Sequence, residues 1–165
     1  MNTMQISKVL TKHVEYFEGV YPIDLLPSTL LRPSIIINLD KHYNPGSHWV
    51  ALCFSDSGYA AYFDSYGLPP YKLEIMSYLQ NKSISWTFNH HRLQGLTSNI
   101  CGHYCCLYEL HRVRRLSMTS FASIFSPARY SCNDIRAVRM FRAQFEECPS
   151  CSQLEHQQQS CNSQV

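Results

Sequence analysis

The sequence predicts an α/β domain in which a mixed central sheet is flanked by helices. Two observations carry this prediction. Short runs rich in β-branched and aromatic residues are interspersed with segments whose apolar residues recur every three or four positions. The first pattern is typical of strands and the second of helices. With 165 residues, the chain is long enough for one domain with a proper core.

The elements follow in order along the chain. Residues 4–17 have helical spacing, and Gly19 is expected to end that helix. Ser34–Leu39 is a continuous apolar run, which indicates a strand buried on both faces. Residues 48–54 and 59–64 are expected to form a hairpin around a four-residue turn that ends in glycine.

The other segments complete the domain. They are an irregular connection, an amphipathic helix, a strand and three helices: residues 20–27, 71–80, 85–89, 99–114, 119–125 and 133–147. From Cys148 onward the chain is rich in Gln and Ser and lacks apolar spacing. We therefore expect a folded domain over residues 1–147 and a disordered tail over 148–165.

Composition restricts the class of protein. A formal net charge of +2 gives no strong bulk attraction to nucleic acid. No apolar run is long enough to span a membrane, and the N-terminus lacks the apolar core of a signal peptide. Four of the eight cysteines lie inside apolar patterns, where free cysteine behaves as a buried hydrophobe: Cys53, Cys105, Cys106 and Cys132. We expect a reducing, intracellular setting.

A cysteine at a loop-to-helix junction is the strongest chemical signal. Cys101 follows Ser98 and Asn99, which are both favoured N-cap residues. A thiol in the first turn of a helix lies at the positive end of the helix dipole, which favours thiolate. Gly102 removes a side chain beside that sulfur, so that a polypeptide can approach. Gln94, one loop upstream, carries an amide that can point at a developing oxyanion.

The predicted hairpin supplies a base for this thiol. If the turn centres between residues 56 and 57, paired residue numbers sum to about 112 or 113, which places His48 opposite Asp64 or one position away. Opposed side chains have Cβ atoms roughly 4.5–5.5 Å apart, close enough for a carboxylate to bond an imidazole. The sequence therefore predicts a nucleophile, a base and an orienting carboxylate: Cys101, His48 and Asp64.

Each of these residues also has a structural explanation when taken singly, and the hypothesis rests on their convergence. A helical cysteine is usually a core residue, as we expect for Cys105 and Cys106. Three other histidines are rival bases, but none has a carboxylate placed across from it: His90, His91 and His103. The spacing of ligand pairs for a metal is missing from these positions, so no metal or cofactor is expected there.

The order of these residues resembles a known family. His48-Trp49, then Asp64, Gln94 and Cys101-Gly102 are similar to the adenovirus-type processing endopeptidases and to their relatives, the proteases for ubiquitin-like proteins such as SUMO. The Gln-to-Cys spacing and the Cys-Gly-x-x-Cys-Cys string resemble the adenovirus group, over residues 10–145 or so. The resemblance implies a papain-like active site in permuted chain order, with the base before the nucleophile.

The resemblance also implies a substrate. It suggests cleavage of polypeptide precursors at Gly-containing sites, with Trp49 packed on the base or lining the cleft. The expected setting is protein processing in a virus or a mobile element. In a viral protein the substrates would be structural precursors, cut in the host nucleus or the virion. One alternative is a protease for ubiquitin-like modifiers, against which the short chain counts. A second is a binding module on an inactive protease scaffold, against which the complete set of catalytic residue types counts.

Activation and metal binding are further questions that the sequence raises. Where the related enzymes have a cysteine for an activating peptide this chain has Ser83, so disulfide activation is not expected, although peptide binding remains open. Arginines on two helices are the candidates for a nucleic acid activator, but they fit solvated helix faces equally well: Arg112, Arg114, Arg115, Arg136, Arg139 and Arg142. In the tail, four residues have the ligand spacing of a zinc knuckle: Cys148, Cys151, His156 and Cys161. The residues between them favour a disordered tail over zinc binding.

Overall fold

The structure, a computed structural model, describes residues 1–145. Its centre is a five-stranded mixed sheet in the order β1-β2-β3-β4-β5. The strands are β1 (Phe17–Pro22), β2 (Ser34–Asn38), β3 (Trp49–Phe54), β4 (Tyr59–Phe63) and β5 (Ser85–Phe88). The helices are α1 (Thr3–His13), α2 (Leu73–Lys82), α3 (Cys101–Val113), α4 (Met118–Ala122) and α5 (Tyr130–Phe145), with a 3₁₀ turn at Ile23–Leu25. The predicted α/β class is confirmed.

Both faces of the sheet are covered, which explains the continuous apolar run of β2. Ile36 belongs to a core formed with α1, α3 and α5, whereas Ile35 and Ile37 belong to a second core formed with α2. All three isoleucines are fully buried. The outer pairs of strands, β1 with β2 and β4 with β5, are parallel, and the inner pairs are antiparallel. In the first of these cores, β3 and β4 pack against α3.

The first helix is shorter than predicted, and a strand follows it. α1 ends at His13, and Phe17–Pro22 pairs with β2 as strand β1, where an irregular connection was expected from residue 20. Val14 and Phe17 are buried although neither is helical, so they extend the apolar spacing across the break. Gly19 lies at a register shift inside β1 and does not end a helix.

The hairpin forms, but its register differs from the predicted one. Ala51 pairs with Phe63, so paired numbers sum to 114 and the turn centres on Ser57. Continuing this register would place His48 opposite Tyr66. Because β3 begins at Trp49 and β4 ends at Phe63, the two site residues lie beyond the ladder and approach each other diagonally.

Several predictions fall outside the described residues. These are the tail at 148–165, its zinc-knuckle pattern and the domain boundary at 147. Within residues 1–145, no helix has the length and apolar character needed to cross a bilayer, and no group of three metal-binding side chains occurs. In the same residues the cysteines are free. Cys132 is exposed, contrary to expectation, because it lies on the solvent side of α5.

Candidate active site

His48 and Asp64 form a close pair at the open end of the hairpin. His48 Nε2 lies 2.8 Å from Asp64 Oδ1, and the Asp64 side chain is almost fully buried. A carboxylate only accepts hydrogen bonds, so Nε2 carries the hydrogen and Nδ1 is left for another partner. The backbone of Asp64 is held in turn by Asn89, whose Oδ1 accepts the Asp64 N–H at 2.8 Å. The imidazole is therefore oriented from a rigid, buried anchor.

Cys101, the first residue of α3, interacts with this imidazole. Burial by itself would lower the pKa of His48, but its hydrogen bonds and charge interactions with Asp64 and Cys101 raise that pKa to about 9. Burial would likewise raise the pKa of Cys101, yet His48 and the backbone N–H groups of Trp49 and Gly102 lower that pKa. The pair therefore favours a thiolate beside an imidazolium at neutral pH.

The start of α3 lacks the side-chain cap that the sequence predicted. Its N-cap residue is Ile100, and no side chain accepts a hydrogen bond from the first turn. The prediction of Ser98 or Asn99 as the cap is therefore wrong. An uncapped helix start leaves backbone N–H groups free to bind an anion. The missing cap therefore suits a thiolate or an oxyanion at Cys101.

Gln94 is fully buried, and its side-chain amide has a defined orientation. Ser65 Oγ donates to its Oε1 at 2.6 Å. Its Nε2 donates to the Ser98 carbonyl oxygen at 2.8 Å and to the Tyr66 hydroxyl at 3.3 Å. The amide hydrogens are thus directed toward the segment that leads into Cys101. The longer of these two bonds involves a hydrogen that an oxyanion could accept instead.

Trp49 and Gly102 have closer neighbours than expected. Trp49 is 8% exposed, its Nε1 donates to the Met1 carbonyl oxygen at 3.3 Å, and it lines a cavity of about 310 Å³ together with residues of the 38–46 segment. A Cβ on Gly102 would lie 3.2 Å from Ile6 and 3.5 Å from Trp49. The expected open space beside Gly102 is therefore filled by α1. A substrate-binding role for these two residues stays a prediction.

Two adjacent residues on α5 hold the loop that carries Gln94. The Asp134 carboxylate accepts the Gly95 N–H at 3.1 Å and the Tyr104 hydroxyl at 3.1 Å. Asn133 Nδ2 donates to the carbonyl oxygen just before Gln94 at 3.0 Å. A Cβ on Gly95 would lie 2.8 Å from Asp134 Oδ2, so a side chain at this position would displace the carboxylate. No sequence pattern indicated these contacts, which join segments nearly 40 residues apart.

Tyr66 is a second residue that sequence reasoning missed. Its ring stacks on the His48 imidazole, with centroids 4.8 Å apart and planes inclined by 28°. The feature of the sequence that could have indicated Tyr66 is its position, two residues after Asp64 in the turn that ends β4. The rival histidines lie elsewhere. His103 packs on Phe141, and burial lowers its pKa to about 4, while His90 packs on Phe88.

Comparisons of the sequence give no match to a family model or to a curated protein. Solved structures do match. Two crystal structures of the ASFV pS273R protease superpose with TM-scores of 0.57 and 0.52, over 82% and 71% of this chain, at 16% and 20% identity. The chain has a protease fold. It spans 65% and 45% of the length of those two chains.

At such low identity, these similarities concern the fold alone. The SUMO protease Ulp1, with its catalytic cysteine oxidized to a sulfonic acid, covers 67% of this chain and 55% of its own at 14% identity. Its TM-score of 0.33 is too low to carry an argument. The comparisons thus support a protease fold and do not single out the adenovirus-type group that the motifs resemble.

Proposed function

We propose that this protein is a cysteine endopeptidase with Cys101 as nucleophile and His48 as base. One observation carries the proposal. The thiol begins a buried helix and faces an imidazole whose other nitrogen is held 2.8 Å from a buried carboxylate, Asp64. This arrangement both activates the sulfur and orients the base. The protease fold supports it independently.

The chemistry follows from these positions. The Cys101 thiolate attacks the scissile carbonyl carbon, and the carbonyl π electrons move to the oxygen to give a tetrahedral oxyanion. When the intermediate collapses, the C–N bond breaks and the His48 imidazolium protonates the leaving amine. The resulting thioester is hydrolysed by a water molecule that transfers a proton to neutral His48, which regenerates the imidazolium and the thiolate.

Gln94 and the start of α3 stabilise the oxyanion in this mechanism. The Gln94 amide and the Cys101 backbone N–H are the proposed donors. Asp64 stabilises the imidazolium and fixes its ring without itself reacting. Because Gln94 is held by Ser65 and its loop by Asp134, little reorganisation is needed when the charge develops.

The substrate that fits best is a polypeptide precursor with glycine at the cleavage site. The Cys101 residue is 5% exposed, so a backbone without side chains reaches its sulfur most easily. The fold likeness to a viral protease favours viral structural precursors. A protease for ubiquitin-like modifiers is the alternative, since it uses the same chemistry on a folded substrate that ends in glycine.

A nucleic acid activator is a further proposal. Of the six arginines in question, Arg112 is turned toward Tyr108 and Glu109, and Arg114 donates to Gln144 at 2.8 Å. These two side chains are engaged within the fold, which reduces the basic surface that remains. Peptide activation and location in the nucleus or virion likewise rest on the family resemblance.

Cleavage of two substrates tests the function. The protein and its Cys101→Ala variant are incubated with a Leu-x-Gly-Gly peptide and with a fusion to a SUMO- or ubiquitin-type protein, and products are identified by mass. Cutting of the peptide by the wild type alone supports the endopeptidase, and cutting of the fusion alone supports the modifier protease. No cutting and no thiol reactivity would indicate an inactive scaffold.

A further inference from the structure

Tyr66 contacts three of the four residues proposed for catalysis. Its backbone N–H donates to Asp64 Oδ1 at 2.8 Å, the same oxygen that accepts from His48. Its ring stacks on the His48 imidazole at 4.8 Å. Its hydroxyl accepts from Gln94 Nε2 at 3.3 Å.

The position of Tyr66 is fixed from both ends. The Gly67 N–H donates to the Asp64 carbonyl oxygen at 2.8 Å and closes the turn around Tyr66. Gly67 has a φ of +70°, and a Cβ there would lie 2.6 Å from the His91 backbone. At the other end the hydroxyl donates to the Ser98 carbonyl oxygen at 3.4 Å. Tyr66 is therefore held across the site, between the end of β4 and the loop before Cys101.

We propose that Tyr66 is a positioning residue that acts through two others: its ring holds the His48 imidazolium, and its hydroxyl holds the Gln94 amide. This assignment rests on the proposed function of the site. It adds a residue to the machinery that neither the motif order nor the hairpin geometry indicated.

The ring acts on the base through its π face. The face of an aromatic ring is electron-rich, so a stacked imidazolium is stabilised relative to a neutral imidazole. The titratable groups that face His48 are Asp64 at the end of β4, Cys101 at the start of α3 and Tyr66 itself. Burial, together with the negative charges of Cys101 and Asp64, raises the pKa of Tyr66, so the phenol stays neutral across the working pH range.

The hydroxyl acts on the oxyanion donor. Gln94 Nε2 has two hydrogens: one is bonded to the Ser98 carbonyl oxygen at 2.8 Å, and the other points to Tyr66 at a longer 3.3 Å. The longer bond is the weaker one, so its hydrogen is the one that can move to an oxyanion. Tyr66 holds that hydrogen near its working direction before the substrate arrives.

Two substitutions separate the ring from the hydroxyl. Tyr66→Phe removes only the oxygen, and Tyr66→Leu removes the ring as well. For each variant, kcat and KM for the Leu-x-Gly-Gly peptide and the rate of Cys101 alkylation by iodoacetamide are all measured as a function of pH. Tyr59→Phe, at an exposed tyrosine of β4, is the matched control.

The two variants have different expected results. Tyr66→Phe should lower kcat about 5- to 10-fold, the size of one ordinary hydrogen bond, with KM and the alkylation profile unchanged. Tyr66→Leu should in addition move the basic limb of the kcat/KM profile down by roughly half to one pH unit, because the imidazolium that protonates the leaving amine loses its stacking partner. Tyr59→Phe should match the wild type in every measurement.

Other outcomes would contradict the assignment. Wild-type turnover in Tyr66→Phe would overturn the role of the hydroxyl, and a wild-type pH profile in Tyr66→Leu would overturn the role of the ring. An equal loss of turnover and of alkylation in Tyr66→Phe would show a merely structural residue, and this variant decides the question even where Tyr66→Leu does not fold. A wild-type protein that neither cuts nor alkylates would overturn the proposed function itself.

Discussion

Replacing Asp64 with asparagine tests how the base is held. The pKa of His48 is raised from 6.5 to about 9, which corresponds to roughly 3 kcal/mol in favour of the imidazolium after the cost of burial. Asp64 and Cys101 share this stabilisation. An asparagine Oδ1 can accept the same 2.8 Å bond from Nε2, so Asp64→Asn keeps the orientation and removes the charge.

Removing the Asp64 charge should lower the pKa of His48. The imidazolium is lost as pH rises through the pKa of His48, so a lower pKa moves the basic limb of the activity profile to lower pH. An opposite charge at this distance typically shifts a pKa by about 1–3 units. We therefore expect the basic limb to fall from about pH 9 by at least about one unit in Asp64→Asn, with part of the turnover retained.

The assay is kcat/KM for the peptide and the alkylation rate of Cys101, both from pH 5 to 10 or so. Asp64→Ala removes the acceptor as well as the charge and should lose more turnover than Asp64→Asn. Asp56→Asn, at an exposed aspartate in the hairpin turn, is the control. An unchanged basic limb in Asp64→Asn, or full turnover in Asp64→Ala, would refute the reasoning.

Cys101→Ala should abolish cleavage, whereas Cys105→Ala, at a fully buried thiol, should keep cleavage and lower the free energy of unfolding by about 1 kcal/mol in a urea melt. The reverse pattern would show that Cys101 is not the nucleophile. Gly95→Ala places a Cβ 2.8 Å from the Asp134 carboxylate, so kcat should fall while the alkylation rate of Cys101 is unchanged, and equal kcat would contradict the loop's role. Burial raises the pKa of Glu109 above 4.5, so wild-type stability should decline as pH rises through that raised pKa; urea melts at pH 5 and 7 should show no such decline in Glu109→Gln.

The parts of the fold that could be predicted are those that depend on local pattern. The apolar run of β2 indicated burial on both faces, and alternation with a glycine-ended turn indicated the β3–β4 hairpin. The hairpin register was one or two residues off because the turn centres on Ser57, which composition does not determine. Strand β1 was missed because Val14 and Phe17 keep the apolar spacing of the preceding helix.

The site shows the same division. His48 and Asp64 are close in the chain and share one hairpin, so their proximity followed from local geometry. The contacts of Gln94 and Gly95 with Ser65 and Asp134 are tertiary, and a single sequence contains no signal for them. Side-chain capping was predicted from residue preference, but the tertiary structure leaves the start of α3 uncapped where an anion is expected.

A covalent probe tests the central claim most directly. A Leu-x-Gly peptide ending in a thiol-reactive electrophile is added to the protein at neutral pH, and the labelled residue is located by mass spectrometry. An activated nucleophile predicts one adduct, on Cys101, that is lost in His48→Ala, although Cys101 is only 5% exposed and Cys132 is exposed. Labelling that prefers Cys132, or that is unchanged in His48→Ala, would contradict a cysteine protease built on Cys101.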